Sequence, residues 1–320
     1  MYSDTVSIAP MMGWTDRHAR YFLRLISRRA VLYTEMVTTG ALLHGARSDL
    51  LRYHPAEHPL VLQLGGSEPE ALAECSLMAQ AAGYDEINLN VGCPSDRVKQ
   101  GCFGASLMAE PQRVADCVAA MRAQVDIPVT VKCRIGIDDM DDESALAAFV
   151  AVVAEAGCEH FIVHARKAWL QGLSPKQNRE VPPLKYEVVY RLKQARPELR
   201  ITINGGIKTL EAMHRHLAHV DAVMLGRESY HNPYLLAQVD AQFNGSDEPP
   251  RSRVEVVHAL LPYIEQELSE GTPLHSISRH LHGLFLGCRG AKAWRRYLSE
   301  NDSKTGAGVE VLLRALERVS

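Results

Sequence analysis

Short apolar runs rich in β-branched residues alternate with longer amphipathic segments over the first three quarters of the chain. This alternation is typical of βαβ units, in which helices connect parallel strands. The predicted strands begin about 31 residues apart on average, which is close to the repeat of a (β/α)8 TIM barrel. We therefore predict an α/β fold of this type. The predicted strands are Val6–Pro10, Ala30–Met36, Leu60–Leu64, Glu86–Asn90, Val129–Arg134, Phe161–His164, Ile201–Asn204 and Ala222–Leu225.

Residues that commonly begin or end helices fall between these strands. Pro69 opens one predicted helix and Gly83 closes it, Pro111 opens another, and Gly157 stops a helix over residues 143–156. The predicted helices therefore occupy the crossovers that parallel strands require.

The pattern changes near the C-terminus, where a polar, turn-forming stretch predicts a linker over residues 243–252. Ser252 and Glu255 then form a capping box at the start of a helix. The expected domains are a barrel over residues 1–242 and a small helical bundle over residues 253–320. Further helices of the bundle are predicted over residues 274–288, 291–299 and 309–319.

Composition limits the possible partners and location. The 320 residues are 46% hydrophobic and 23% charged, as in an ordinary folded protein, and the net charge of -3 does not indicate a polyanionic partner. Any nucleic-acid contact would therefore be local. The longest apolar run, residues 145–154, is too short to span a membrane, and the N-terminus has no basic, apolar leader. Seven cysteines without a Cys-x-x-Cys pair favour reduced thiols and a cytoplasmic protein, and nothing implies a protein partner.

The ends of the seventh and eighth strands carry glycine-rich motifs. In a TIM barrel the active site lies at the C-terminal ends of the strands, and the loops after the last two strands often bind phosphate through backbone N–H groups. Asn204-Gly205-Gly206 and Gly226-Arg227 stand at these two places. Each motif alone is more typical of a plain turn, but the pair predicts a phosphate site.

Other strand ends suit the isoalloxazine ring of FMN. Lys132 is placed to stabilise the negative charge of the reduced ring, Gln63 to hydrogen-bond its amide edge, and His164 to donate near the phosphate. A lone lysine or histidine is more often solvated or packed, so the prediction depends on their convergence. No Gly-x-Gly-x-x-Gly follows a strand, which argues against a Rossmann dinucleotide site.

Cys93 closes the fourth strand in the sequence Asn-Val-Gly-Cys-Pro-Ser, where a sharp turn would hold its thiol over the barrel. A thiol is mostly protonated at neutral pH, and beside a flavin it is a credible general acid. No second Cys or His lies at ligand spacing, so no metal site is predicted. Cys102 shares a loop with Cys93 but lacks the strand-end position. Inert buried thiols are predicted at Cys75, Cys117, Cys158 and Cys288.

Two groups of cations are candidates for phosphate contacts. Lys176 and Arg179 belong to the long loop after the sixth strand, at the active-site end of the barrel. The second group is in the predicted tail, where Arg289, Lys292 and Arg296 are spaced i, i+3 and i+7 and would share one helix face. A solvated helix face would show the same pattern. The tail cations are Arg289, Lys292, Arg295 and Arg296.

Together these motifs resemble those of the tRNA-dihydrouridine synthases, and residues 167–179 resemble the A subfamily. The resemblance covers nearly the full length, and its motifs are highly specific when taken jointly. The matching motifs are Ala9-Pro10-Met11, Gln63-Leu64-Gly65-Gly66, Asn88-Leu89-Asn90-Val91-Gly92-Cys93-Pro94, Lys132-Cys133-Arg134, His164-Ala165-Arg166, Asn204-Gly205-Gly206 and Gly226-Arg227.

The resemblance implies an FMN barrel that uses NADPH to reduce the C5–C6 bond of uridine in the tRNA D-loop, at positions 20 and 20a. It implies that hydride passes from reduced flavin to C6 while Cys93 protonates C5. Asn90, Lys132 and Arg134 would lie near the base, and the helical tail would hold the tRNA. The residues implied for the cofactor are Ala9, Pro10, Met11, Gln63, Lys132, His164, Asn204, Gly205, Gly206, Gly226 and Arg227.

Two other classes of function stay open on the sequence alone. A different FMN barrel, acting on a free pyrimidine such as dihydroorotate, would share the phosphate site and a catalytic thiol or hydroxyl, but would not need the basic tail. A non-catalytic RNA-binding protein on a barrel scaffold would keep the tail, but would not require Lys132, Cys93 and Gln63 to converge.

Overall fold

The computed structural model describes residues 5–45, 47–95, 101, 103–243, 245 and 247–319. Within these residues the chain forms an eight-stranded parallel sheet with the order β1-β8-β7-β6-β5-β4-β3-β2. A parallel bridge between Ser7 and Val31 joins the two ends of this order and closes the barrel. The predicted TIM-barrel fold is confirmed. The strands are β1 (Val6–Ile8), β2 (Leu32–Thr38), β3 (Leu60–Gly65), β4 (Glu86–Val91), β5 (Val129–Arg134), β6 (His160–His164), β7 (Arg200–Asn204) and β8 (Ala222–Leu225).

Helices fill the crossovers, and short polar side chains start several of them. Asp16, Asp141 and Thr209 accept hydrogen bonds from backbone N–H groups in the first turn of the helix that each precedes. Pro69 and Pro111 open helices, as predicted. The helices up to residue 243 are α1 (Arg17–Ile26), α2 (Thr39–His44), α3 (Arg47–Leu50), α4 (Pro69–Ala81), α5 (Pro111–Arg122), α6 (Asp142–Glu155), α7 (Tyr186–Ala195), α8 (Leu210–Leu217), α9 (Glu228–His231) and α10 (Val239–Phe243).

The C-terminal region is helical, and the Ser252–Glu255 capping box is present. The predicted helix over residues 274–288 is wrong beyond Ser278. Gly283 approaches the His231 carbonyl oxygen, so that a Cβ there would lie 2.4 Å from that atom, and Gly287 has a φ of +81°. The helices are α11 (Arg253–Ser269), α12 (Leu274–Ser278), α13 (Ala291–Asn301) and α14 (Glu310–Leu316). In the parts of the chain that the structure describes, no helix is long and apolar enough to cross a membrane.

The apolar core has an inner and an outer part. The outer part lies between the sheet and the surrounding helices and includes Phe22, Phe149 and Phe161. Because the inner part fills the barrel, the C-terminal ends of the strands enclose a cleft rather than a pore. The inner part consists of Ala9, Val31, Tyr33, Val61, Ile162 and Met224.

The C-terminal helices dock against α1 and the loop before it. Tyr263 Oη lies 2.8 Å from His18 Nδ1, and Arg17 pairs with Glu267. Asp16 pairs with Arg279 and lies 3.0 Å from His280 Nε2. Burial opposes ionisation of Asp16, but His280, the Ala19 N–H and Arg279 together hold the pKa of this carboxyl well below its usual range. The carboxylate therefore connects the tail to the start of α1.

We predict that Asp16→Asn lowers the free energy of unfolding by about 1–3 kcal/mol at pH 6, since charged hydrogen bonds are lost. A lowered carboxyl pKa stabilises the folded state above the unfolded value of about 3.9, and this contribution fades as the pH falls below it. The difference in the free energy of unfolding between the variant and the unmodified protein should therefore be smaller at pH 3 than at pH 6, as measured by urea unfolding. Asp116→Asn is the control, because its exposed carboxylate contacts Gln112 on the surface of α5. Equal effects of the two substitutions at pH 6 would contradict the prediction.

Candidate active site

A cleft of about 390 Å³ opens at the C-terminal ends of the barrel strands. This volume is in the range of ligand and cofactor sites. Most of the predicted site residues line the cleft together. They are Ala9, Pro10, Met11, Gln63, Asn90, Cys93, Lys132, Arg134, His164, Arg179, Asn204, Gly205, Gly206, Gly226 and Arg227.

Strand register explains this convergence. Side chains two residues apart face the same side of a strand, and registered partners on parallel strands lie side by side. Asn90 is registered with Lys132, and Arg134 with His164, which is in turn registered with Asn204. Polar side chains from four consecutive strands therefore meet inside the barrel.

A chain of buried amides runs along one side of the cleft. Gln63 Nε2 donates to Asn88 Oδ1 at 2.8 Å, and Asn90 Nδ2 donates to Gln63 Oε1 at 2.8 Å. Asn88 Nδ2 donates to Thr130 Oγ1 at 3.0 Å. These bonds satisfy buried polar groups and fix the orientation of the Gln63 and Asn90 carboxamides.

The turn that carries Cys93 is held by the side chain that precedes it. Asn90 Oδ1 accepts the backbone N–H groups of Gly92 at 3.1 Å and Cys93 at 3.0 Å. The Cys93 thiol is half-buried, lines the cleft and lies 3.5 Å from Ser95 Oγ. Its position over the barrel agrees with the sequence prediction, whereas Cys102 lies outside the described residues.

The remaining thiols differ in exposure. Cys75, Cys117 and Cys158 are buried, as predicted, and burial raises the pKa of Cys117 and Cys158 to about 12. Such thiols stay protonated and unreactive near neutral pH. The prediction of a buried thiol at Cys288 is wrong, since this residue is half-exposed on the segment before α13.

The floor of the cleft is cationic. Burial, with the Arg134 guanidinium nearby, lowers the pKa of Lys132 to about 8, and its Nζ lies 3.4 Å from Asn204 Oδ1. Among the described residues, Lys132 and Arg134 make no ion pair with a carboxylate. Burial and these two cations hold the pKa of His164 well below its ordinary value, so its imidazole is neutral. The cleft therefore offers positive charge that an anionic ligand would neutralise.

Backbone donors lie at the part of the cleft where β7 and β8 end. Gly206, Ile207, Gly226 and Arg227 line the cleft, and their backbone N–H groups donate no hydrogen bond to any described group. A Cβ added at Gly226 would meet no atom within 4 Å, so this position leaves open space. Free donors around an open, glycine-lined space suit a phosphate group. Arg227 stands beside them and pairs with Glu180 at 2.6 Å.

The tail cations Arg289, Lys292, Arg295 and Arg296 do not line the cleft. Lys176 also stands outside the cleft lining, although Arg179, three residues later, is part of it. The prediction of one helix face for Arg289, Lys292 and Arg296 is wrong for the first of them. Gly290 has a φ of +85° and precedes α13, so Arg289 lies before the helix, while the other two are exposed on it.

The position of Trp294 explains why the spacing of the tail cations predicted the exposed face of α13 only in part. It is fully buried, and its Nε1 donates to Leu281 O at 3.1 Å. Packing of this indole against the tail core therefore fixes which face of α13 points to solvent, and the neighbouring Arg295 is half-buried.

No group of three or more His, Cys, Asp or Glu side chains is placed to hold a metal ion within the described parts of the chain.

Comparison with known proteins gives the family. Residues 7–320 match the dihydrouridine synthase (Dus) family. The chain is 59% identical over 319 residues to the tRNA-dihydrouridine(20/20a) synthase of Vibrio cholerae, covering 99% of this chain and 97% of that one. It is 60% identical over 320 residues to the protein of the same description from Escherichia coli, covering 100% of this chain and 92% of that one. The chain belongs to the dihydrouridine synthase family.

The family assignment confirms the resemblance found in the sequence motifs. Among solved structures, the fold of this chain is similar to that of 2-naphthoyl-CoA reductase in complex with 2-naphthoyl-CoA, with a TM-score of 0.57. The match covers 74% of this chain and 50% of the reductase chain at 12% identity. At this identity the likeness concerns the fold alone.

The cleft also contains residues to which the sequence motifs assigned no role. Trp14 lines the cleft and stacks on Tyr230, with ring centroids 4.5 Å apart, and Arg166 and Lys208 add two further cations. Arg166 belongs to the His164-Ala165-Arg166 motif, and Lys208 follows Asn204-Gly205-Gly206 closely, so extending that second motif could have found it. Trp14 carries no such signal, because its place depends on the packing of the loop after β1.

We predict that Lys132 of the ligand-free protein titrates near pH 8, because burial and Arg134 disfavour its charged form. Competitive labelling with acetic anhydride, followed by peptide mass spectrometry between pH 6 and pH 11, measures this midpoint. A lysine-containing reference peptide in the same reaction should follow the ordinary midpoint of about 10.4. A Lys132 profile that coincides with that of the peptide would show the prediction to be wrong.

Proposed function

We propose that this chain is a tRNA-dihydrouridine synthase that uses FMN and NADPH to reduce the C5–C6 bond of uridine at positions 20 and 20a of tRNA. The relatives described as tRNA-dihydrouridine(20/20a) synthases cover 99–100% of the chain at 59–60% identity. The observation that carries the proposal is that a half-buried thiol, a cationic floor and a set of free backbone donors share one cleft. No observation favours a free pyrimidine as substrate or a purely RNA-binding role.

The cleft residues fit FMN by their chemistry. Free N–H groups at Gly206 and Gly226 suit the phosphate, with Arg227 beside them. Lys132 and Gln63 suit the pyrimidine edge of the flavin, where negative charge develops on reduction. Ala9, Pro10, Met11, His164, Asn204 and Gly205 line the same space. Bound FMN would supply the hydride that NADPH delivers to the enzyme.

The reaction adds one hydride and one proton across the uracil double bond, so NADPH and one proton are consumed for each dihydrouridine formed. Cys93 holds the proton on Sγ at the edge of the cleft and donates it to C5, while C6 accepts the hydride. Asn90 keeps the Cys93 turn in place through two N–H contacts. The thiolate left on Cys93 then regains a proton from solvent, which a half-exposed position permits.

Binding of the tRNA is assigned to cations outside the catalytic cleft and at its rim. Arg179 lies at the rim, and Lys176 lies on the same loop. Lys292 and Arg296 are exposed on α13, at the far end of the chain. In this proposal the barrel over residues 1–242 performs the chemistry, and the helices over residues 253–320 hold the tRNA, with Arg289 and Arg295 beside the exposed pair.

The decisive experiment compares Cys93→Ala with the unmodified enzyme. The purified enzyme should release FMN, not FAD, on denaturation. The variant should retain FMN, be reduced by NADPH at an unchanged rate and bind tRNA equally well, yet form dihydrouridine about 100- to 10,000-fold more slowly, as is typical when a general acid is lost. Stopped-flow absorbance follows flavin reduction, and mass spectrometry of digested tRNA quantifies the product.

Cys288→Ala is the matched control, because this thiol is also half-buried but lies outside the cleft lining. It should behave as the unmodified enzyme. Stoichiometric FAD, or a Cys93→Ala variant with a near-normal rate of tRNA reduction, would contradict the proposal. Reduction of free uridine or orotate in preference to tRNA would point to the alternative enzyme class.

We expect the double variant Lys292→Ala with Arg296→Ala to bind tRNA more weakly and to keep NADPH-driven flavin reduction intact. Each lost phosphate contact should reduce the slope of log K against log salt by about one. Fluorescence anisotropy at several salt concentrations measures this slope. The control is Arg113→Ala with Arg191→Ala, which removes the same charge from exposed positions on α5 and α7. A similar loss of affinity in both double variants would mean that only net charge matters.

A further inference from the structure

Arg134 stands at the end of β5 with a side chain that is only 3% exposed. The family resemblance predicts a place for it near the uracil base. Its hydrogen bonds, however, go to the protein backbone. Nε donates to Gly92 O at 2.8 Å, and Nη1 donates to Lys167 O at 3.0 Å and Asn178 O at 3.1 Å.

These three carbonyl groups belong to two separate loops. Gly92 directly precedes Cys93 in the turn after β4, whereas Lys167 and Asn178 bracket the loop after β6. Asn178 in turn directly precedes Arg179 at the rim of the cleft. One planar group therefore spans the turn that carries the thiol and the loop that carries a rim cation.

A buried cation needs compensation for its lost hydration. Burial lowers the pKa of Arg134 to about 10, and no carboxylate pairs with it among the described residues. Backbone carbonyl groups supply the compensation instead, which requires both loops to stay at fixed positions around the guanidinium. A guanidinium can bind several acceptors in a fixed plane, whereas an ammonium cannot reproduce this geometry.

We propose that Arg134 is a positioning residue that sets the placement of Cys93 relative to the Arg179 loop. This role rests on the proposed function, because it concerns the approach of the Cys93 thiol to the uracil. Its Nη2 donates to no described group, so a direct contact with the base is the competing role, and the two make different predictions.

Arg134→Lys keeps the charge but cannot bridge the two loops. A displacement of reacting groups by about 1 Å can cost about 100-fold in rate. The single-turnover rate of tRNA reduction by the pre-reduced variant should therefore fall by about this factor, with the Kd for tRNA and the rate of flavin reduction by NADPH unchanged. Iodoacetamide should alkylate Cys93 faster in the variant, with Cys288 as the internal reference.

Arg24→Lys is the matched control for the loss of a buried guanidinium. Arg24 is 6% exposed and donates to the carbonyl groups of Ser27, Ala30, Glu57 and Pro59, near the N-terminal ends of β2 and β3. The control should lose stability but keep the tRNA reduction rate and the Cys93 alkylation rate. If Arg24→Lys slowed tRNA reduction and accelerated Cys93 alkylation as much as Arg134→Lys, a general loss of stability would explain the effect and the proposal would fall.

Weaker tRNA binding together with unchanged Cys93 alkylation in Arg134→Lys would instead establish direct contact and overturn the proposal. If this variant does not fold, Asn178→Ala decides, because it removes the Asn178 carboxamide bonds to Trp169 and Leu173 that hold the loop, and leaves Arg134 intact. It should show the same slowed reduction and faster alkylation, and normal values would overturn the proposal. The alkylation rate needs no tRNA, so failure of the proposed activity can be told apart from failure of the positioning role.

Discussion

A closed ring of parallel strands brings every strand end to the same side of the molecule, and the other features of the site depend on this constraint. Because the strands are in register, alternate side chains of neighbouring strands stand next to one another. Asn90 lies beside Lys132, and His164 lies between Arg134 and Asn204. A shift of one residue in any strand would turn its polar side chains out of the cleft and into the apolar layer under the helices.

The same constraint produces the electrostatics of the cleft. Cations from adjacent strand ends are brought together inside a barrel, where water can hydrate them only in part. The resulting desolvation lowers the pKa of Lys132 and Arg134 and keeps His164 neutral. Free backbone donors near Gly206 and Gly226 add to the positive potential. An anionic ligand would compensate these partly desolvated cations and free donors. Their electrostatic attraction would therefore contribute to the binding of such a ligand.

Contacts made by the loops fix the positions of those cleft residues that strand register does not determine. Asn90 holds the Cys93 turn through two backbone N–H groups, and Arg134 reaches the same turn through the Gly92 carbonyl. Asp16, which caps the start of α1, connects the loop after β1 to Arg279 and His280 of the tail. The tail is thus attached next to the loop that carries Trp14, which lines the cleft.

The sequence by itself determined the strand count, the closing motifs of each strand and the family, since apolar periodicity and punctuation by Gly and Pro are local properties. The expectation that Cys93 and the glycine motifs lie near one another also came from the sequence, because all strand ends of a barrel meet on one side, and these residues line one cleft. Only the tertiary structure decided that Arg289 precedes α13, that Trp294 is buried in the tail, and that Arg134 donates to three backbone carbonyl groups. These outcomes depend on contacts between segments far apart in the chain, and no local pattern records which distant atoms a side chain will meet.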